Sequence, residues 1–312
     1  MEKILNIIII LLLIIIIILF GFIILIIKNS IKSKKAINLI KKGREFKESN
    51  DIDNAVKYFN SALNYMKNIT ALYDLGYIYY YYKNDYRSGE NFFRQCIELD
   101  PNFAPAHYSL GFIYFNDYKN ADSAIKELKT AISLSPQLSY PYNTLGIIYN
   151  ELKLFDQALL MINKAIEIDN NYSAAINNLG VVYANKGDFE KAIEMFKFAL
   201  TKNINSAESY NNLGNVYGIK LMDSASIECF KKSVSINSNN YHTHYWLGSI
   251  YLRNKIYDKA KVSLENAVKL KNNFVEGYFN LAVACSKLGE RELEHKYFDI
   301  AVKLKPDILD EI

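Results

Sequence analysis

The sequence predicts an all-α chain: an α-solenoid of about eight helix-turn-helix repeats, preceded by one membrane-spanning helix. Three observations predict it. Leu-Gly recurs at Leu75-Gly76, Leu110-Gly111, Leu145-Gly146, Leu179-Gly180, Leu213-Gly214 and Leu247-Gly248, with Leu281-Ala282 as an echo. A tyrosine follows each of those glycines by three residues (Tyr79, Tyr114, Tyr149, Tyr183, Tyr217, Tyr251), and Cys285 follows Ala282. The period is about 34 to 35 residues, the length of a two-helix repeat. Finally, residues 4–27 are apolar except for Asn6 and Gly21.

One unit shows why the repeat is a hairpin. In Ala175–Leu200, Ile176, Leu179, Gly180 and Tyr183 fall at i, i+3, i+4 and i+7, one face of a helix. Lys186-Gly187-Asp188 breaks the pattern, and Ala192, Phe196 and Ala199 then form a second apolar face. Glycine inside a helix costs about 1 kcal/mol relative to alanine, so Gly180 needs a packing reason: without a Cβ, the neighbouring helix can come close. The phase extends back to a degenerate unit with Gly43, Phe46, Ala55, Phe59 and Ala62. The expected organisation is a transmembrane anchor at 4–27, a basic juxtamembrane linker at 28–35, one solenoid domain at 36–308 and a tail at 309–312. A solenoid grows by adding units, so length alone does not divide it.

The apolar run spans about 24 residues, or about 36 Å as a helix, enough to cross a ~30 Å hydrocarbon core with some tilt. A cleaved signal peptide has an apolar region of about 7 to 15 residues and a small-residue cleavage site. Lys28-Asn29-Ser30-Ile31 offers no such site, and the run has no polar stripe to make it a core helix. An uncleaved anchor is expected. Lys28, Lys32, Lys34, Lys35, Lys41, Lys42 and Arg44 follow it before the first acid, Glu45, so the positive-inside rule places the repeats in the cytoplasm. Those lysines also suit contact with anionic headgroups.

The chain carries 37 basic and 33 acidic residues, a net charge of +4. Setting aside Glu2, Lys3 and the seven cations from Lys28 to Arg44 leaves 29 basic and 32 acidic residues over 45–312, about −3. Such a surface lacks the clustered phosphate contacts of a nucleic-acid binder. Cys96, Cys229 and Cys285 lie in separate repeats with no C-x-x-C pair, and read as buried thiols in a reducing compartment. His242 and His244 sit on different sides of a helix, whereas a metal pair is spaced i, i+4; they are expected on the surface or in a groove, with His107 and His295 isolated. There is no P-loop, G-x-S-x-G or dinucleotide fingerprint, and the repeats leave no room for a catalytic domain. No enzyme activity, cofactor or metal is expected.

The period, the small residues and aromatics at fixed positions, and the late prolines Pro101, Pro136 and Pro306 resemble the tetratricopeptide repeat family. The resemblance implies a right-handed solenoid whose first helices line a concave groove that binds a protein segment. It implies ligand-facing positions that include Tyr73, Asp74, Tyr77, Tyr80 and Tyr81, then Tyr108, Phe112 and Phe115. Tyr73, Tyr77, Tyr80 and Tyr81 form one stripe beside Tyr79, which makes that helix aromatic on two faces. Two readings of the stripe stand: packing against the anchor-proximal repeat, or an aromatic groove for a partner peptide, since tyrosine joins apolar area to a polar tip.

Further along, Asn143, Asn177, Asn178, Asn211, Asn212 and Asn215 occupy groove positions, and Asn280 recurs later. They look like the asparagine ladder in the repeat domain of O-linked N-acetylglucosamine transferases, interrupted here at Asp74, Ser109, Thr144 and Trp246. Two uses stand: gripping an extended peptide backbone, or bonding between neighbouring hairpins. Trp246 reads as partly packed. The lysine of the chaperone-binding clamp is absent: its positions hold Tyr73, Tyr108, Asn143, Asn177, Asn211, Tyr245 and Phe279. Anchored bacterial repeat proteins that regulate envelope assembly are similar in architecture, but the lipopolysaccharide-assembly regulators among them carry a C-terminal C-x-x-C module that this chain lacks. The expected function is a membrane-tethered scaffold that binds a partner peptide or helix. The alternatives are self-association through the terminal repeats, where the last hairpin ends at Pro306 without a full capping helix, and envelope assembly with the repeats outside the cytoplasm.

Overall fold

The computed structural model describes residues 2–306, with side chains from Leu13 onward. The tail at 309–312, the solenoid's expected end at 308 and the side chains of residues 4–12 lie outside the described residues. Among the described residues there are sixteen α-helices and no strand. They fall into two compact units.

The first unit, up to Gln137, holds α1 (Glu2–Glu48), α2 (Ile52–Leu63), α3 (Ile69–Tyr81), α4 (Tyr86–Leu99), α5 (Ala104–Asn116) and α6 (Ala121–Leu134). The second, from Leu138, holds α7 (Ser139–Glu151), α8 (Phe155–Ile168), α9 (Ser173–Asn185), α10 (Phe189–Lys202) and α11 (Ala207–Ile219). It continues with α12 (Asp223–Ile236), α13 (Tyr241–Arg253), α14 (Tyr257–Leu270), α15 (Val275–Leu288) and α16 (Arg291–Leu304). Odd and even helices pair as hairpins, and within each unit the second helix of one hairpin packs on the first helix of the next.

Local chemistry sets the helix ends. Asp51, Asp85, Asn120 and Asp188 each accept a hydrogen bond from the backbone N–H three residues on, capping the second helix of a hairpin. One residue in each hairpin turn is left-handed. Gly187 takes that place at φ 83° without strain, whereas Leu221 takes it at φ 57°, a conformation bulky residues rarely adopt.

The recurring glycine is the seat of the hairpin. A Cβ on Gly76 would lie 2.6 Å from Phe93 Cε1, and one on Gly146 only 2.4 Å from Ile162 Cγ1. The same approach pairs Gly43 with Phe59, Gly111 with Leu128, Gly180 with Phe196, Gly214 with Phe230 and Gly248 with Leu264. Phe59, Phe93, Phe196 and Phe230 are among the largest fully buried side chains. Cys96, Cys229 and Cys285 are buried free thiols, as the sequence implies. Burial pushes the Cys96 thiol up to about 12 and those of Cys229 and Cys285 to about 11.

The helix α1 runs 47 residues without a break. Among the described residues it alone is long and apolar enough to cross a membrane, and its apolar side chains from Leu13 to Ile27 are exposed. Segment 28–35, read as a linker, is helical: no glycine or proline interrupts 22–42, and lysine is a good helix former. The last turns of α1 are the first helix of the first hairpin, with Ala36, Ile40 and Phe59 in one core cluster.

Gly146→Val should lower stability by about 1–3 kcal/mol, because the added methyls overpack a site whose neighbour Ile162 is fully buried. Thermal unfolding of the full chain in detergent measures it. Gly146→Ala and Ile162→Ala should together cost less than the sum of the two single changes, because the second removes the Cγ1 that the new methyl would meet. Strict additivity would show that the two do not share one seat.

Candidate functional site

The first-helix face of the first unit carries the aromatic stripe on α3 and α5. Tyr77 and Tyr81 are 36% and 47% exposed and lie 4.5 Å apart between ring centroids. Tyr80 stands edge-on to Phe112 at 6.0 Å, while Tyr81 and Tyr108 lie 6.4 and 6.1 Å from the same ring. These five side chains therefore form one connected surface. Tyr73 belongs to the packing beneath it, with its ring 5.5 Å from both Phe93 and Phe103.

Asp74, at the position the family resemblance makes ligand-facing, is only 4% exposed. Arg44 Nε and Lys47 Nζ of α1 each donate to its carboxylate at 2.7 Å. Its charge is spent on tying α1 to α3. Lys47 also stands 5.4 Å over the Tyr77 ring, so the rim of the aromatic surface carries a cation.

The phenols of Tyr80 and Tyr81 are held in their neutral form. Burial is the largest cause at Tyr81, pushing it up to about 12, with Tyr77 and Tyr73 adding to the shift. Tyr80 is raised further, by burial first and then by its hydroxyl donating to Asp117 Oδ2 at 2.9 Å.

In the second unit the asparagines bond to each other across hairpins. Asn178 Nδ2 donates to Asn143 Oδ1 at 3.0 Å, and Asn212 Nδ2 to Asn177 Oδ1 at 3.2 Å. Asn177 also donates to Glu208 at 3.0 Å, Thr243 donates to Asn211 at 3.0 Å, and Asn280 donates to Ser249 at 3.1 Å. Asn143 and Asn177 are 5% and 3% exposed, whereas Asn178, Asn211, Asn212 and Asn215 are half-buried and reach the surface.

Asn215 borders a recess of about 360 Å³ floored by Phe230, Gly218 and Ile250 and walled by Ile219, Trp246 and Arg253. Trp246 is 42% exposed there, and Arg253 is paired with Asp223 and donates to Gly218 O at 3.0 Å. Sequence reasoning missed this recess. Its available signal was Gly218, a second glycine on the helix of Gly214, where a Cβ would stand 3.2 Å from Ile250 Cδ1 and 3.3 Å from Ser226 Oγ.

His244 is a correction: expected on the surface or in a groove, it is buried, and its Nε2 lies 3.0 Å from Ser238 O. His107 holds the same place in its hairpin, 3.0 Å from Pro101 O and 2.7 Å from Glu127. Both rings close the turn before their own helix.

Stacked helical hairpins with a polar and aromatic first-helix face define a helical-repeat protein. Two tetratricopeptide repeat family models match the chain, one at residues 69–103, 140–172, 207–240 and 241–274, the other at 92–126 and 161–194. Together these cover more than half of the sequence, and the chain belongs to the tetratricopeptide repeat family. It resembles the Cut9-Hcn1 hetero-tetramer of the APC/C, with TM-score 0.66 and 22% identity over 81% of this chain and 53% of that one. A tetratricopeptide repeat protein from Parabacteroides merdae gives TM-score 0.64 and 14% identity, covering 80% of this chain and 99% of that one. PilF of Pseudomonas aeruginosa gives 0.60 and 18%, covering 66% and 93%. At these identities the likeness concerns the fold. No curated protein sequence matches.

Two measurements follow. Phenols raised above their unfolded value of 10.0 stabilise the fold fully below pH 10, and that stability is lost as pH climbs through about 12. Chemical denaturation should show a midpoint falling between pH 10 and 12, less steeply in Tyr81→Phe; a flat profile would contradict the burial of these groups. Asp74→Ala should cost about 1.5–3 kcal/mol, the scale of a lost hydrogen bond to a charged group, read by thermal unfolding. No loss would show that α1 is held on α3 by packing alone.

Proposed function

We propose that this protein is a membrane-tethered scaffold whose repeats capture a segment of a partner protein. The observation that carries the reading is the exposed tyrosine surface around Tyr77 and Tyr81. Large, rigid, amphipathic side chains that are already in mutual contact lose little conformational freedom on binding, which is why tyrosine dominates binding hot spots. The partly exposed amides Asn178, Asn212 and Asn215 and the recess at Trp246 offer a second, separate grip in the second unit. Tethering through residues 4–27 keeps the repeats near membrane partners, so modest affinity suffices. The lysines after the span favour a cytoplasmic position for the repeats. Scaffolding without catalysis is the usual role of this family.

A second reading is self-association through the last hairpin. A recess of about 440 Å³ lined by Phe279, Ala282, Val283 and Phe298 stays open there, and Ala301 is the one side chain of α16 that is buried. Light scattering of the full chain in detergent discriminates: a concentration-dependent oligomer favours this reading.

A photo-reactive residue at Tyr77 should crosslink a protein in native membranes. Tyr81→Ala in that background should cut the yield at least tenfold, because hot-spot tyrosines contribute about 2 kcal/mol or more. Unchanged yield would remove the aromatic surface from the function.

A further inference from the structure

Because α1 continues from the apolar span into the first hairpin, the height of the repeats above a bilayer is fixed by helix geometry. From Ile27, the last residue of the apolar run, to Lys35 is about 12 Å along the axis, just beyond a headgroup layer about 5–8 Å deep on each side. The backbone there stands above the headgroups, and only long side chains reach down to them. At that height stands the turn between α2 and α3. Lys35 Nζ lies 5.7 Å over the ring of Tyr65 in that turn. Tyr65 and Met66 are each 39% exposed, and Lys67 is exposed beside them. An aromatic, an apolar side chain and a cation on one short turn suit a membrane interface, where tyrosine rings collect at headgroup level and lysine reaches phosphate.

The stem presents the same chemistry on the same side. Lys28, Lys32 and Lys35 fall at i, i+4 and i+7, one face of α1, and Lys35 of that face is the residue that meets Tyr65. Continuing upward, the same stripe becomes Leu39 and Phe46, which pack on the first core cluster, and Lys42, which stands 5.9 Å over the Tyr58 ring of α2. The lysines therefore lie beneath the repeats, on the side where the turn hangs. No acidic residue occurs between Lys3 and Arg44 to neutralise them.

We propose that the α2–α3 turn, Tyr65 to Lys67, and the lysine stripe of α1 form a second membrane contact that binds anionic phospholipid headgroups. This rests on the reading of α1 as an anchor. The anchor fixes the height, and the turn and lysines fix the hairpin against rotation about the stem. Anionic lipid is favoured over zwitterionic because its surface potential attracts lysines held within a Debye length of it.

The full chain in nanodiscs tests this, using single tryptophans in a Trp246→Phe background. With phosphatidylglycerol discs carrying a headgroup spin label, Tyr65→Trp should lose most of its emission. Lys83→Trp, at the far end of the same hairpins, should keep its own. Quenching at Tyr65→Trp should fall by about twofold or more in phosphatidylcholine discs. Absence of quenching at Tyr65→Trp, equal quenching at Lys83→Trp, or equal quenching in both lipids would overturn the proposal. Phe22→Trp with an acyl-chain label reports the anchor itself. Quenching there without quenching at Tyr65→Trp leaves the anchor standing and removes this contact, whereas quenching at neither removes both.

Discussion

The contact on which the rest of the structure depends is the seating of one large side chain from each second helix on a Cβ-less residue of its first helix. Glycine at the seat costs about 1 kcal/mol of helix propensity. Burying the phenylalanine, leucine or isoleucine that it admits returns about 1.5–3 kcal/mol, so the exchange favours glycine. Seven hairpins make it, from Gly43 with Phe59 to Gly248 with Leu264. The last hairpin departs. Ala282 occupies the seat, and Phe298, at the matching place on α16, is half-buried rather than enclosed. With no later hairpin among the described residues to pack on it, a deep seat at that end has less apolar surface to protect.

Between hairpins the problem is different, because polar groups that stacking buries must find partners. The second unit solves it with amides, groups able both to donate and to accept, as Asn143 and Asn177 do. Asn178 reaches back to Asn143 and Asn212 to Asn177, one repeat length apart each time. The first unit solves it with charge: Asp74 is closed off by Arg44 and Lys47. An amide bond between hairpins fixes register at little electrostatic cost, whereas a buried carboxylate is strongly penalised unless paired. Two cations from one helix meet that demand, and they commit α1 to α3.

Most of the fold was legible because its signals are local and repeated. Leu-Gly with a tyrosine three residues on recurs often enough to fix helix phase, hairpin turns and core faces without any tertiary information. The continuity of α1 was less legible. Lysine at 28, 32, 34 and 35 reads as flanking charge and so as a boundary, although the absence of glycine and proline from 22 to 42 already favours unbroken helix. Of the candidate site, the tyrosine stripe was readable as a stripe, but its division into Tyr73 beneath and Tyr77 and Tyr81 above depends on Phe93 of α4 and Phe103 in the turn before α5. The asparagine positions were visible, and their bonding to one another was one of two open readings. His244 and the Gly218 recess escaped because a carbonyl six residues away and a missing Cβ leave no periodic mark.

Lys47 joins these strands of the structure. Its ammonium neutralises Asp74 and stands over the Tyr77 ring, so one side chain at the end of α1 touches both the lock on α3 and the rim of the aromatic surface. Tyr77 and Tyr81 stand on the same helix that Asp74 fastens to α1. A flexible tether would set only the concentration of such a surface near a bilayer. On the reading proposed above, a 47-residue helix that ends in a two-cation lock would also set its height and direction. A partner segment held at Tyr77 and Tyr81 would then meet the membrane at a defined distance, and the scaffold would supply geometry as well as proximity.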